Sequence, residues 1–90
     1  MKQGDLVQFN PRQPSTTHYP VADKIEIFSR SPHETPNHSI GWIENGEICI
    51  YLKRTVFNGF GYNTPWYRVI SRFGEGWVVA TWFEVISEAR

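Results

Sequence analysis

The chain predicts an all-β fold: a small barrel of five or six antiparallel strands, with a turn of 3-10 helix before the last strand and two long loops in its N-terminal half. Three observations carry this. The run Trp66-Tyr67-Arg68-Val69-Ile70-Ser71-Arg72 meets a glycine-flanked turn, Phe73-Gly74-Glu75-Gly76, and Trp77-Val78-Val79-Ala80 leaves it, which is a hairpin signal. Residues 47 to 54 alternate strictly, with Ile48, Ile50 and Leu52 on one side and Cys49, Tyr51 and Lys53 on the other. No useful length of the chain shows the 3.6-residue period of a helix.

Taken in order, Leu6-Val7-Gln8-Phe9 follows the turn pair Gly4-Asp5 and stops at Asn10-Pro11, a first strand. Pro11, Pro14 and Pro20 exclude a helix or a central strand from residues 10 to 23, which read as a loop. Ile25-Glu26-Ile27-Phe28 is a short strand, and the polar stretch from 29 to 38, with Pro32 and Pro36, is the second long loop. Ser39 to Glu44 forms a strand that Asn45-Gly46, a strong type I′ turn pair, folds back on residues 47 to 54 as its hairpin partner. Residues 55 to 65 hold Asn58-Gly59-Phe60-Gly61-Tyr62-Asn63, too glycine-rich for a strand interior and too aromatic for a plain linker, and so read as an exposed loop. Ala80 to Phe83 is the expected 3-10 turn, and residues 83 to 87 are the closing strand. Tyr67, Val69, Trp77, Phe83 and Val85 are expected in the core.

Ninety residues make one domain spanning 1 to 90; a chain of this size buries roughly 64% of its unfolded surface. Fourteen aromatics, 16% of the chain, give a thin core large burial per residue. The net charge is zero, against the profile of a strong nucleic-acid binder. Cys49 is the single cysteine and has no internal disulfide partner, which fits a reducing compartment and a buried, inert thiol. No stretch has the length of a membrane span, and Met1-Lys2-Gln3-Gly4-Asp5 lacks signal-peptide character. The expected setting is cytoplasmic, with no membrane partner.

Gly4-Asp5-Leu6-Val7, the hairpin through Gly74-Glu75-Gly76-Trp77, and the finish Phe83-Glu84-Val85-Ile86 resemble the SH3-like barrel. More narrowly, they resemble small SH3-like proteins commonly encoded by tailed bacteriophages. The resemblance covers about half the chain. It implies a phage-type accessory or structural protein, found in the host cytoplasm or the virion, and fold alone transfers no activity. The signalling SH3 domains open with an Ala-Leu-Tyr-Asp-Tyr-like strand that this chain lacks, so their proline-peptide groove is not carried over.

No constellation points to catalysis, a cofactor or a metal. His18, His33 and His38 match no zinc-ligand spacing, Cys49 has no inferable base, and neither a phosphate-cradling loop nor a dinucleotide fingerprint is present. The better lead is basic and aromatic interleaving. Lys53, Arg54, Arg68 and Arg72 lie in a window between Glu47 and Glu75 that holds no acid, with Phe57, Phe60, Tyr62, Trp66 and Tyr67 among them. Aromatics and arginines dominate protein interfaces, so residues 55 to 67 are expected to dock a protein partner or self-associate through Phe57, Phe60, Tyr62 and Trp66, with Arg68 and Arg72 at the rim. The alternative is single-stranded nucleic acid, with cations on phosphates and rings on bases. A third account has the aromatic segment folding back over an open end of the barrel, as a lid on its own core.

Overall fold

Seven strands form one antiparallel sheet in the computed structural model, which describes residues 2 to 10, 24 to 59 and 62 to 87. They are β1 (Leu6–Phe9), β2 (Lys24–Phe28), β3 (Ser39–Glu44), β4 (Ile48–Gly59), β5 (Tyr62–Ser71), β6 (Gly74–Val79) and β7 (Phe83–Ser87). The order across the sheet is β3-β2-β6-β5-β4-β1-β7. The sheet curls around its own concave side into a half-barrel, leaving β3 and β7 as its two edges.

The concave side is the core. Val7, Phe9, Ile27, Ile43, Cys49, Tyr51, Tyr67, Val69, Val78 and Ala80 are buried there, with Ile25, Ile40, Trp82 and Phe83 packed against them. Period-2 alternation dictates this set: Val7 stands opposite Cys49, Tyr51 opposite Val69, and Tyr67 opposite Val78, so each pair shares the inward face. Rings supply much of the fill, with Tyr51 and Tyr67 edge-to-face at 5.2 Å and Phe9 against Phe83 at 5.4 Å. The Cys49 thiol is pushed up to about 12 by its burial and secondarily by Glu47, the inert state expected of it.

Several expectations are corrected. Among the described residues the strands number seven, not five or six. Ala80 to Phe83 is a single hydrogen-bonded turn, closed by the Phe83 N–H donating to Ala80 O, and not a 3-10 helix. β3 and β4 are joined at Asn45-Gly46 but do not pair along their length: β3 pairs with β2, and β4 with β5 and β1. Glu47 N–H donates to Glu44 O as in a hairpin, yet the Gly46 N–H then donates to Phe9 O and the Phe9 N–H to Glu47 O, so β1 captures the chain at the corner. Of the 55 to 65 stretch, the described residues 55 to 59 and 62 to 65 are strand and not loop: the β4–β5 ladder runs through Val56↔Pro65, Phe57↔Thr64 and Asn58↔Asn63 to Gly59↔Tyr62. Cross-strand bonding there overrides the weak strand propensity of glycine and asparagine.

Two core assignments also change. Val85 stands opposite Val7 but lies on the edge strand β7, where no further strand covers it, and is 40% exposed. Trp77 is only half-buried, because it sits on the convex side with its neighbour Phe28. Tyr67 and Val69 are buried as expected, and Phe83 packs on the core margin. The loop expected at 10 to 23 lies, from residue 11, outside the described residues. The 29 to 38 loop is held by Asn37, whose Nδ2 donates to Arg30 O and Ser31 O while its Oδ1 accepts from the Arg30 N–H.

Candidate functional site

The convex side is set by the same alternation that fills the core. Lys53 stands opposite Arg68, Arg68 opposite Trp77, and Trp77 opposite Phe28, so one row crosses β4, β5, β6 and β2 on the side away from Val69 and Ile27. Two residues along β5, Trp66 joins this face opposite Thr55 and Val79. Its ring lies 6.0 Å from that of Phe28.

Phe57 shows how the long hairpin is shaped. It is opposite Thr64, four positions from Arg68, the residue opposite Trp77. In a flat ladder that offset is roughly 13 Å, yet the Phe57 and Trp77 rings meet edge-to-face at 5.8 Å. The distal half of the β4–β5 hairpin therefore coils back across the face. His33 meets the same ring from the 29 to 38 loop at 4.9 Å. That loop is stiffened by the Ser31 N–H donating to the Glu34 carboxylate and the Glu34 N–H donating to Ser31 O.

The result is an aromatic cluster of Phe28, Phe57, Trp66 and Trp77, all half-buried, with His33 exposed at its margin. Lys53 Nζ sits 5.8 Å from the Trp77 ring centroid. Further along the same side, Trp42 stands opposite Glu26 with Lys24 Nζ 5.0 Å from its ring.

Of the residues the sequence singled out, the structure brings Phe57, Trp66 and Arg68 together on this face. Arg72 is elsewhere, in the β5–β6 turn, with its guanidinium over Phe73 and its Nε 3.3 Å from Glu47 Oε2. Phe60 lies outside the described residues, and Tyr62 is placed only by its backbone, opposite Gly59. Phe28 and Trp77 were missed. Their convex placement comes from the β2–β6 pairing, which joins residues far apart in sequence, and no local pattern announces it. Trp77 had a usable signal, since it alternates with the core residue Val78.

The electrostatics divide the four cations. Arg68 is ion-paired with Glu75, and Arg72 with Glu47. Lys53 lies on Trp77, and Arg54 stands opposite Tyr67, on the other side of the hairpin. Burial holds the Tyr67 phenol above its ordinary range, with Arg54 partly offsetting that effect and Tyr51 adding to it. Among the described residues, these four cations form no continuous basic track along the aromatic face. Among the described residues, no three His, Cys, Asp or Glu side chains converge as a metal site would require, and no helix is long and apolar enough to cross a membrane.

No protein family, curated protein or solved structure matches this chain.

Proposed function

We propose that this chain is a non-catalytic interaction module that docks a protein partner on the convex aromatic face. One observation carries the reading: Phe28, Phe57, Trp66 and Trp77 are gathered on one side of the sheet and held there by their own ring contacts, still half open to solvent. Large aromatics that are already ordered lose little conformational freedom on binding, and such residues carry most of the energy of protein interfaces. Arg68, locked to Glu75, supplies a polar rim of the kind that surrounds such centres.

Phe57 packs on Trp77 and His33, and by doing so builds the surface on which a partner rests. Single-stranded nucleic acid is the weaker reading, because two of the four candidate cations are already neutralised by carboxylates and few remain to release counterions. The likeness of the chain's start and finish to small phage-encoded SH3-like proteins supports an accessory or structural role in an assembling particle, within a host cytoplasm or a virion.

The test compares the wild type with a Trp66→Ala/Trp77→Ala double variant. Each is immobilised and exposed to an extract of the native source, and every retained protein is purified and titrated against both. The reading requires a retained protein whose affinity falls at least tenfold in the double variant while Ile50→Lys binds normally. A retained protein that binds both variants equally well overturns it.

A further inference from the structure

The charge on the aromatic face is unbalanced at one place. Strict alternation along β4 would turn Lys53 inward with Cys49 and Tyr51. A bulge prevents this: Tyr51 pairs with Val69 and Lys53 with Arg68, so Leu52 is an extra residue on β4 with no counterpart on β5. The bulge swings Lys53 to the convex side, where its Nζ lies 5.8 Å from the Trp77 ring centroid. It also sets two cations directly across from each other, an arrangement that destabilises a sheet. Glu75 neutralises Arg68. Lys53 is exposed, and among the described residues no carboxylate pairs with it. Elsewhere around the face the signs balance, Lys24 against Glu26 on β2 and Arg30 against Glu34 in the 29 to 38 loop.

We infer that the aromatic face takes an acidic peptide segment of its protein partner, with one Asp or Glu carboxylate seated on Lys53 and apolar side chains beside it on Phe57, Trp66 and Trp77. This rests on the proposal that a protein docks on the face, and it names the chemistry of that protein. Lys53 shares its place with Trp77, so a group that packs on the ring also strips water from the ammonium. A desolvated charge is costly unless an opposite charge takes the place of the water. The face offers one unpaired cation among four rings, which is the complement of one carboxylate among apolar groups. The phosphate chain of a nucleic acid needs several cations instead.

The test selects a random peptide library on the immobilised full chain and titrates each enriched peptide by fluorescence anisotropy. Enriched peptides should carry Asp or Glu next to aromatic or aliphatic residues. Lys53→Gln should weaken their binding about tenfold. Replacing the peptide's acid by its amide should cost as much, and both changes together no more than either alone. Arg54→Gln removes the same charge from the next residue, on the other side of the hairpin, and should leave affinity unchanged. The Lys53→Gln midpoint should stay within about 3 °C of wild type, which separates a binding role from a structural one. Enriched peptides without an acid, or acidic ones that bind Lys53→Gln as well as wild type, overturn the inference. If Trp66→Ala/Trp77→Ala still abolishes their binding, the docking face itself stands. Peptides that bind the tryptophan variant as tightly as wild type overturn both. A selection that enriches nothing overturns the peptide segment alone.

Discussion

Replacing Gly76 by alanine tests the seat on which the aromatic face is built. Gly76 is buried on the concave side of β6, opposite Val69. A methyl group there would lie 2.7 Å from Ile27 Cγ1, 2.7 Å from the Phe28 carbonyl oxygen and 2.9 Å from Ile27 Cδ1. Carbon atoms rest at about 3.5–4.0 Å, so the intrusion approaches 1 Å. Neither neighbour can easily yield. Ile27 is fully buried, and Phe28 is the residue through which β2 pairs with β6 at Trp77. Overpacking costs about 1–3 kcal/mol, and backbone among the clashing atoms puts this case near 3 kcal/mol. That is a large part of a typical stability of about 5–15 kcal/mol. At about 4–8 °C per kcal/mol for a chain of this size, the midpoint should fall by roughly 12–24 °C. Thermal and urea unfolding followed by circular dichroism measure it, with an unchanged m-value showing that the same cooperative unit unfolds. Gly74→Ala is the companion. Gly74 has φ +103° and open space around it, so alanine there meets backbone strain alone and should cost only about 1–2 kcal/mol. A Gly76→Ala midpoint within about 3 °C of wild type, less than 1 kcal/mol, would refute the packing of β2 on β6.

Other outcomes follow from the same packing. Phe57→Ala removes ring contacts to both Trp77 and His33; it should cost about 1–2 kcal/mol and red-shift tryptophan emission, whereas a hairpin tip standing free would show neither change. Cys49 should resist iodoacetamide at pH 8 in the native state. Its folded value of about 12 lies above the ordinary 9.0, so the unfolded chain loses its proton first as pH rises. The associated stability is intact below pH 9 and is lost between about 9 and 12. Urea midpoints should show a steeper alkaline decline for wild type than for Cys49→Ala, and parallel declines would contradict the burial. The Arg68–Glu75 pair is largely exposed, so a double-mutant cycle should return less than about 1 kcal/mol. Fluorescence anisotropy with labelled single-stranded oligonucleotides should show no binding at low salt, and a steep salt-sensitive isotherm would restore the nucleic-acid reading.

How much of this was legible in the sequence varied with the distance between partners. The β5–β6 hairpin is local, and its signal was plain: Gly74 takes the positive φ of the turn, while Gly76 serves a different purpose, close approach to Ile27. The alternation of residues 47 to 54 was equally plain, but not its polarity. Cys49 and Tyr51 face the core while Ile48 and Ile50 face out, a choice made by pairing with Val7 and Val69 rather than by hydrophobicity along β4. Asn45-Gly46 signalled a turn correctly and a hairpin wrongly, because β1 competes for the backbone groups just past the corner. Residues 55 to 65 carry glycines that mark a loop locally, yet the ladder from Ile70 to Tyr62 on the β5 side keeps the described residues 55 to 59 and 62 to 65 extended. In the candidate site, Phe57, Trp66 and Arg68 were found from composition. Phe28 and Trp77 required knowing that β2 lies beside β6, and Arg72 was misplaced because the turn carries it toward Glu47.

The central claim is that partner recognition falls on the convex aromatic face. It is tested most directly by titrating isotopically labelled chain with a protein it retains and following amide and indole NMR signals. The account predicts that the largest shifts gather on Phe28, Lys53, Phe57, Trp66 and Trp77, with Val7, Phe9 and Ile43 unmoved. Shifts centred instead on the β7 edge or on Trp82, with the Trp66 and Trp77 indoles unchanged, would contradict it.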